Sequence, residues 1–384
     1  MERKIYCLNK ISKVGLNVLP DNYKVVEELE GADAILVRSA AMHEMELPKS
    51  VVAVARAGAG VNNIPLDRFA AEGVVVFNTP GANANAVKEL TIAMMLLAAR
   101  DIRGSMEWVK ANKEDAEINK SMEKAKSAFA GTEILGKTLG VIGCGAIGAL
   151  VADAASKLGM KVLGVEPSLA TRERYVSLLG AVEFVELDEL LQRSDYITVH
   201  VPLLDATRGM INKDALAKCK DGVIVINAAR DALVNDDDMK DALASGKVRR
   251  YVTDFPNHKS ANTEGVVAIS HLGASTEEAE DNCAMMAANQ VVNFVENGNI
   301  VNSVNYPNLD LGQKLSSRIV VLHKNSGGVC DKVLELLKKH GHKITKFVTG
   351  SKGGFAATLL EVDSVDDCLD EIARLPEVIK VYSK

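Results

Sequence analysis

A short apolar run that ends in a glycine-rich turn constrains the fold of this chain more than any other feature. Residues 138–148 read TLGVIGCGAIG, and the segment 138–142 is short, apolar and β-branched, as buried parallel strands are. Glycines then follow in the spacing GxGxxG. Gly143 permits a tight turn, Gly145 lets backbone N–H groups approach a pyrophosphate, and Gly148 lets the next helix pack close to the strand.

The segments after the turn complete a strand–helix–strand unit. The alanine-rich segment 149–159 is predicted to be a helix whose N-terminus supplies partial positive charge. A second strand, 160–167, contains Glu166, eighteen residues after Gly148, where a carboxylate can accept hydrogen bonds from an adenosine ribose. Such glycines also occur in ordinary turns, but strand, turn, helix, strand and acid in this order predict dinucleotide binding.

Composition narrows the class of protein. At 384 residues the chain suits two or three domains, and its net charge of −6 gives no electrostatic reason to expect nucleic acid or an anionic membrane as a partner. No apolar run reaches the ~18–20 residues of a membrane span, and the segment MERKIYCLNK lacks the apolar core of a signal peptide. The six cysteines form no CxxC motif and no metal-like pairing with histidine. We therefore expect reduced thiols, no bound metal and a cytoplasmic protein.

Short strands and helices alternate on both sides of this unit. Before it, strands are predicted at 4–8, 34–38, 51–58 and 74–80, and residues 85–106 are predicted to form one long helix. After it, strands are predicted at 181–185, 195–201, 222–228, 250–254 and 266–270, followed by a helix at 276–297. These patterns predict an α/β protein with two doubly wound parallel sheets of the Rossmann or flavodoxin type.

The predicted domains follow from these elements. Residues 1–97 with 277–306 form one domain, and residues 98–276 form the dinucleotide-binding domain. The polar segment 307–316 is predicted to be a linker. In the tail, 317–384, strands and helices alternate as βαββαβ, the order of a ferredoxin-like unit.

Two side chains at predicted strand ends can carry chemistry. Arg230 directly follows the strand GVIVINAA, where an arginine can bind a carboxylate bidentately and polarise a neighbouring carbonyl. His271 follows the strand VVAIS, and a histidine can accept the proton of an alcohol as hydride leaves. Either residue alone is more often structural, but two at strand ends of one dinucleotide-binding domain favour a dehydrogenase.

The motifs GVIGCGAIG, HVP at 200–202, INAAR at 226–230 and HLGAST at 271–276 resemble the D-isomer-specific 2-hydroxyacid dehydrogenases. The similarity extends over residues 30–305, and the tail resembles the regulatory ACT domain of some members. Within the family, RAGAGVNNI (56–64) and FNTPGANANAVKEL (77–90) resemble members that oxidise 3-phosphoglycerate with NAD to 3-phosphohydroxypyruvate, for serine synthesis. Two alternatives stay open: a dehydrogenase of glyoxylate, lactate or another unphosphorylated acid, and a dinucleotide-sensing protein without catalysis.

The resemblance implies roles for individual residues. Arg230 and His271 would be catalytic, and the substrate carboxylate or phosphate would be bound by Arg38, Arg56, Gly58, Gly60, Val61 and Asn83. The NAD cofactor would be surrounded by Thr79, Gly143, Gly145, Ala146, Ile147, Gly148, Glu166, Pro202, Thr207, Ala228, Ala229, Asp254, Gly273 and Ala274. Glu166 replaces a more usual aspartate. Either carboxylate repels a 2′-phosphate and so favours NAD over NADP, whereas the nearby Arg172 and Arg174 would attract that phosphate.

The sequence departs from the family in the loop after Asp254. Family members place a glutamate a few residues later, which holds the histidine, whereas this chain reads DFPNHK at 254–259. Asn257, His258 or Lys259 would occupy that position, and Glu264 is the nearest later acid. Without such a carboxylate, the base function of His271 would persist to lower pH, with some loss of orientation.

In the tail, His323 and Asn325 precede a helix that begins near Gly327. In regulated family members a histidine and an asparagine at such positions bind serine between paired domains, which implies a serine effector and a homodimer or homotetramer. Lys343 stands where a further asparagine is expected, so the alternative is a module that only mediates oligomerisation.

Overall fold

Two units divide the chain in the computed structural model, which describes residues 2–365 and 368–384. The split unit consists of Met1–Asn83 and Glu277–Lys384, and the middle unit consists of Ala84–Thr276. The three-domain division predicted from the sequence, with boundaries at 97, 276 and 317, remains a prediction about folding domains.

The N-terminal part of the split unit is a five-stranded parallel sheet with the order β2-β1-β3-β4-β5. Its strands are β1 (Arg3–Cys7), β2 (Tyr23–Val26), β3 (Ala34–Val37), β4 (Ala53–Arg56) and β5 (Val75–Phe77), and its helices are α1 (Lys13–Leu16) and α2 (Leu66–Ala71). The strand β2 has no counterpart among the predicted strands. It lies at the sheet edge with Lys24 and Val25 exposed, so it lacks the apolar pattern of a buried strand.

The middle unit is built on a seven-stranded parallel sheet with the order β12-β11-β10-β9-β6-β7-β8. Its strands are β6 (Thr138–Ile142), β7 (Lys161–Val165), β8 (Val182–Phe184), β9 (Tyr196–Val199), β10 (Val223–Asn227), β11 (Val248–Thr253) and β12 (Val266–Ala268). Its helices are α3 (Ala84–Ala99), α4 (Ile102–Ala111), α5 (Ile118–Ala125), α6 (Ala146–Lys157), α7 (Leu169–Arg174), α8 (Leu187–Arg193), α9 (Lys213–Lys218), α10 (Asp236–Ala244) and α11 (His258–Ala261). The strand order reverses between β6 and β9, as the predicted Rossmann-like fold requires.

The single helix predicted at 85–106 is wrong, because the structure breaks it at Arg100 and Asp101. The Asp101 side chain accepts a hydrogen bond from the Gly104 N–H (2.9 Å) and so begins α4 as its N-cap. The Ala99 carbonyl, at the end of α3, accepts from the Thr132 N–H (2.9 Å) and from the Arg249 guanidinium (3.0 Å). Apolar periodicity continues across the break, but a short acidic side chain favours a cap over a helix interior.

The C-terminal part of the split unit begins with α12 (Glu277–Asn297), which packs on the first sheet. An added Cβ at Gly15 would lie 2.2 Å from the Ala284 Cβ, so only glycine allows α1 to approach α12 this closely. A four-stranded antiparallel sheet follows, with the order β14-β15-β13-β16. Its elements are β13 (Ser317–Lys324), α13 (Val329–Lys339), β14 (Ile344–Lys352), β15 (Phe355–Val362), α14 (Cys368–Ala373) and β16 (Val378–Ser383), in the predicted βαββαβ order.

Both faces of this antiparallel sheet are covered within the split unit. The helices α13 and α14 cover one face, over Ile319, Val321 and Leu360. The other face shares a core with the first sheet, in which the ring centroids of Tyr382 and Phe294 are 5.8 Å apart. The antiparallel sheet is therefore anchored to the first sheet by a continuous hydrophobic core.

One residue of the predicted linker 307–316 packs in this core. Leu309 is buried and exchanges two backbone hydrogen bonds of 2.8 Å with Ile300. The Gly312 carbonyl accepts from the buried Arg318 guanidinium (2.9 Å). Leu309 and these hydrogen bonds hold the segment against the rest of the split unit, and its role as a linker between domains remains a prediction.

No helix within residues 2–365 and 368–384 is both long and apolar enough to cross a membrane.

Candidate active site

The glycine-rich turn joins β6 to α6 at the carboxyl edge of the middle unit's sheet. Gly143 has φ of 90°, and its N–H donates to the Val165 carbonyl (2.9 Å). A Cβ on Gly148 would lie 1.9 Å from the Gly143 carbonyl oxygen, so α6 can begin here only with glycine at that position. A Cβ on Gly145 would meet no atom within 4 Å, so open space lies in front of the N–H groups that begin α6. This arrangement suits a pyrophosphate.

Glu166 follows β7 beside this turn. Its carboxylate accepts from the Cys144 N–H (3.1 Å) and from the Ser168 N–H (3.0 Å). Arg172 is turned to other partners, since its Nε donates to the Glu166 carbonyl (2.6 Å) and its guanidinium stacks on the Phe184 ring (4.2 Å). Arg172 is thus already engaged, which weakens the case that it would hold a 2′-phosphate.

The other predicted cofactor residues of the middle unit follow strands of the same sheet. The Thr207 hydroxyl donates to the Pro202 carbonyl (2.7 Å) in the loop after β9. Ala228 and Ala229 follow β10, and Gly273 and Ala274 follow β12. Carboxyl ends of parallel strands share one edge, where ligands of open α/β sheets bind. Thr79, by contrast, belongs to the split unit.

His200, in the HVP motif after β9, is a structural residue. One ring nitrogen lies 2.9 Å from the Thr198 hydroxyl, and burial lowers the pKa of the imidazole to about 4. A histidine that stays neutral down to such a pH stabilises the fold without titrating near neutrality.

Arg230 is held by a buried asparagine that sequence reasoning missed. The Asn227 side chain donates to the Arg230 carbonyl (2.8 Å) and accepts from the backbone N–H groups of Ala229 (3.0 Å) and Arg230 (3.3 Å). Asn227 is fully buried at the end of β10. A polar residue within an otherwise apolar strand was the available signal for its role.

His271 and Arg230 both lie next to one aromatic ring, that of Phe255. The His271 φ of 43° is unusual for a residue other than glycine, and its N–H donates to the Asp254 carbonyl (2.8 Å). The imidazole ring centroid lies 4.2 Å from that of Phe255, and the Arg230 guanidinium carbon lies 5.2 Å from the same Phe255 centroid. The structure therefore brings both predicted catalytic residues together, with Phe255 as a third member that the sequence did not indicate.

Asp254 presents an unused acceptor to this site. One carboxylate oxygen accepts from the Gly273 N–H (3.0 Å), and the other is buried with no hydrogen-bond partner among the described residues. Burial raises the pKa of the Asp254 carboxyl, while the Gly273 N–H and the charges of His271 and Arg230 lower it. A carboxamide N–H, such as that of nicotinamide, would satisfy the orphan oxygen, so the residues present fit the predicted cofactor.

Two substitutes for the family's glutamate are engaged elsewhere. The Asn257 side chain caps α11 and donates to the Asp236 carboxylate (2.7 Å), and the Lys259 ammonium pairs with Asp237 (2.7 Å). His258 and Glu264 are exposed. The Phe255 ring, which carries no charge, packs against the His271 ring.

The predicted anion-binding residues lie in the split unit, at the carboxyl ends of β3 and β4. The Arg56 Nε donates to the Arg38 carbonyl (3.0 Å), and a Cβ on Gly58, whose φ is 153°, would lie 2.0 Å from Arg56 Nη1. The Arg38 guanidinium pairs with Glu280 at 2.7 Å. The Arg38 charge is therefore compensated, and the Arg56 guanidinium lies against Gly58, another predicted ligand of the anion.

The remaining predicted residues of the split unit line the same region. Gly60 and Val61 follow Arg56 in the loop after β4, and Asn83 is half-buried. Thr79 is buried next to the Cys283 thiol. Burial raises the pKa of this thiol, whereas the nearby charges of Arg56 and Arg38 lower it.

The two residues proposed to bind serine are engaged within the antiparallel sheet. One His323 ring nitrogen lies 2.9 Å from the Lys324 carbonyl and the other 3.2 Å from the Thr358 hydroxyl. The Asn325 side chain donates to the Gly353 carbonyl (2.9 Å). His323 is buried in this conformation, whereas Asn325 is exposed.

No cluster of three or more potential metal ligands occurs in the part of the chain that the structure describes.

Comparison with known proteins relates these features to a family. Residues 92–273 match the NAD-binding domain of the D-isomer specific 2-hydroxyacid dehydrogenases. A D-3-phosphoglycerate dehydrogenase of Mycobacterium bovis is 39% identical over 319 residues, which cover 77% of this chain and 57% of that protein. A hydroxypyruvate reductase of Thermotoga maritima is 37% identical over 269 residues, which cover 67% of this chain and 82% of that protein.

A solved structure supports the same relationship. The NAD+-bound 3-phosphoglycerate dehydrogenase of Entamoeba histolytica aligns with a TM-score of 0.62 at 27% identity, over 79% of this chain and 99% of that one. This chain thus spans little more than half the length of the mycobacterial relative and nearly the whole of shorter ones. The chain belongs to the D-isomer specific 2-hydroxyacid dehydrogenase family.

Proposed function

We propose that this protein oxidises the C2 hydroxyl of 3-phosphoglycerate with NAD, giving 3-phosphohydroxypyruvate for serine synthesis. The observation that carries the proposal is the convergence of Arg230, Phe255 and His271 beside the unsatisfied Asp254 oxygen, at the carboxyl edge of the NAD-binding sheet. Relatives named D-3-phosphoglycerate dehydrogenase support the choice of substrate.

The proposed roles follow from the chemistry of each side chain. NAD, when bound, accepts the hydride from C2. The His271 imidazole takes the hydroxyl proton, and the Arg230 guanidinium binds the carboxylate and stabilises the oxygen that becomes a carbonyl. Arg56 binds the anionic end of the substrate, because a guanidinium matches a phosphate or carboxylate bidentately.

A dehydrogenase of an unphosphorylated 2-hydroxy acid is the second candidate, and the hydroxypyruvate reductase relative supports it. A dinucleotide-binding protein without catalysis is a third. The absence of the family's glutamate favours it, and retention of both Arg230 and His271 opposes it.

NADH formation with a panel of hydroxy acids distinguishes these functions. We expect kcat/KM to be highest for 3-phosphoglycerate, and His271→Asn to lower kcat by about a hundredfold or more while NADH still binds. A higher kcat/KM for lactate, glycerate or glycolate would support the second candidate. NADH binding without turnover of any acid would support the third.

We also propose that the protein is a homo-oligomer and that serine acts on its C-terminal sheet. Self-association is supported by α4, which buries none of its residues within the chain and leaves Met106 68% exposed. Serine binding would require His323 and Asn325 to exchange their present partners. Sedimentation velocity of the full chain with and without serine, beside the activity assay, tests both parts.

A further inference from the structure

Phe255 occupies the centre of the candidate catalytic group. Its ring lies 4.2 Å from the His271 ring at an interplanar angle of 42°, and 5.2 Å from the Arg230 guanidinium carbon. One aromatic side chain thus contacts a residue after β10 and a residue after β12. Contacts of this kind, an offset aromatic pair and a cation–π interaction, have preferred geometries and so restrict the rotamers of both partners.

The backbone around Phe255 fixes its position. The Phe255 N–H donates to the Thr253 hydroxyl (3.0 Å). Asn257, two residues later, is fixed by the α11 cap and by its bond to Asp236. The ring is therefore attached to a short loop with hydrogen bonds on both sides of it.

His271 needs such support because of its own conformation. It is exposed and has φ of 43°, a region that non-glycine residues rarely adopt. Its backbone N–H is bound to the Asp254 carbonyl, but that bond leaves the side-chain torsions unrestrained. In other members of the family, as noted above, a glutamate holds this histidine.

We propose that Phe255 is the positioning residue of this site: its ring packs between His271 and Arg230 and orients the imidazole by contact, in place of a carboxylate. This role rests on the proposed dehydrogenase function.

Substitution of Phe255 separates this role from mere packing. We expect Phe255→Leu to lower kcat by about 10- to 100-fold with little change in the Kd for NADH, since a loosened base costs orientation rather than binding. Phe255→Tyr keeps the ring and should restore kcat to within about threefold of the original. Phe347→Leu is the matched control, because Phe347 is 51% exposed in the split unit and lies outside the proposed machinery.

A second substitution tests whether the side chain at position 255 contacts the His271 imidazole. Phe255→Glu supplies a carboxylate next to His271, so the acidic limb of the kcat/KM profile should move upward by about one pH unit. In Phe255→Leu the same limb should stay within about 0.3 units of its original position, because no charge is changed. An unmoved limb in Phe255→Glu would overturn the inference that the side chain at position 255 contacts His271.

A spectroscopic readout makes the test independent of substrate. The ring proton signals of His271, assigned by their loss in His271→Asn, should shift downfield in Phe255→Leu as the ring current disappears, and stay in place in Phe255→Tyr and Phe347→Leu. If these signals and kcat are both unchanged in a folded Phe255→Leu protein, the positioning role is overturned. If the signals shift but no hydroxy acid is oxidised by the unmodified protein, the contact stands and the proposed function fails.

Discussion

At the residue scale, the structure separates two arginines that the sequence predicts to act alike. The Arg38 guanidinium pairs with Glu280, and the Arg56 guanidinium lies against Gly58, whose backbone is also predicted to bind the substrate anion. We expect Arg56→Ala to raise KM for the phosphorylated acid at least tenfold with little change in KM for NAD, because a charge-assisted contact is lost. Arg38→Ala also removes one positive charge, but it should raise KM for the phosphorylated acid by less than about threefold. Steady-state kinetics measure both, and equal effects of the two variants would place Arg56 outside the anion site.

His200 provides a prediction about stability and pH. Burial lowers the pKa of its imidazole to about 4 in the folded state, whereas the unfolded chain binds a proton near pH 6.5. The unfolded state thus binds more protons between these values, and the free energy of unfolding falls as pH is lowered through that window. We expect the free energy of unfolding to fall by about 2 kcal/mol between pH 7 and pH 4.5, and we expect no such fall in His200→Gln. Urea unfolding at the two pH values checks this, and an equal loss in the variant would contradict it.

At the element scale, the glycine turn offers a test that separates folding from binding. Gly148→Ala would place a Cβ 1.9 Å from the Gly143 carbonyl oxygen, so it should destabilise the middle unit by about 1–3 kcal/mol and abolish NADH binding. Gly145→Ala meets no atom within 4 Å and should leave stability unchanged while lowering NADH affinity at least tenfold. Gly180→Ala, also in open space, is the control for both. Thermal unfolding and NADH fluorescence titration measure the two effects, and full NADH affinity in Gly145→Ala would exclude this turn from the cofactor site.

The elements also show how far sequence reasoning extends. Buried strands such as β6, β9 and β10 could be predicted because their apolar runs report burial on both faces. The edge strand β2 could not be predicted, because its exposed residues, including Lys24, interrupt the apolar pattern of a buried strand. The break after α3 could not be predicted either, because it depends on the Asp101 cap. Arg230 and His271 could be identified as candidates from their places after strands. Their partner Phe255 could not, because its contacts form only when the ends of β10, β11 and β12 come together in the folded sheet.

At the scale of the whole molecule, a buried arginine links the antiparallel sheet to the rest of the split unit. Arg318 is fully buried, pairs with Glu361 at 2.5 Å and donates to the Asn297 (2.8 Å) and Gly312 (2.9 Å) carbonyls. Arg318→Ala would leave Glu361 buried without its partner and should lower the free energy of unfolding of the split unit by about 3–5 kcal/mol. The double variant Arg318→Met with Glu361→Leu should recover most of that loss. Denaturant unfolding of the three proteins tests this, and a single variant as stable as the original would show that the pair contributes nothing.

The split unit also determines the order in which the chain can acquire its structure during synthesis. The strands β1 to β5 are translated before the middle unit, but the core that they share with α12 and β16 is incomplete until residues 277–384 have also been translated. The middle unit is continuous, so it can fold as soon as Thr276 has left the exit tunnel. The N-terminal sheet therefore cannot complete its core until after the middle unit has been able to fold, and its apolar strands stay exposed during that time. During that interval, the strands β1 to β5 expose apolar surface to which chaperones can bind.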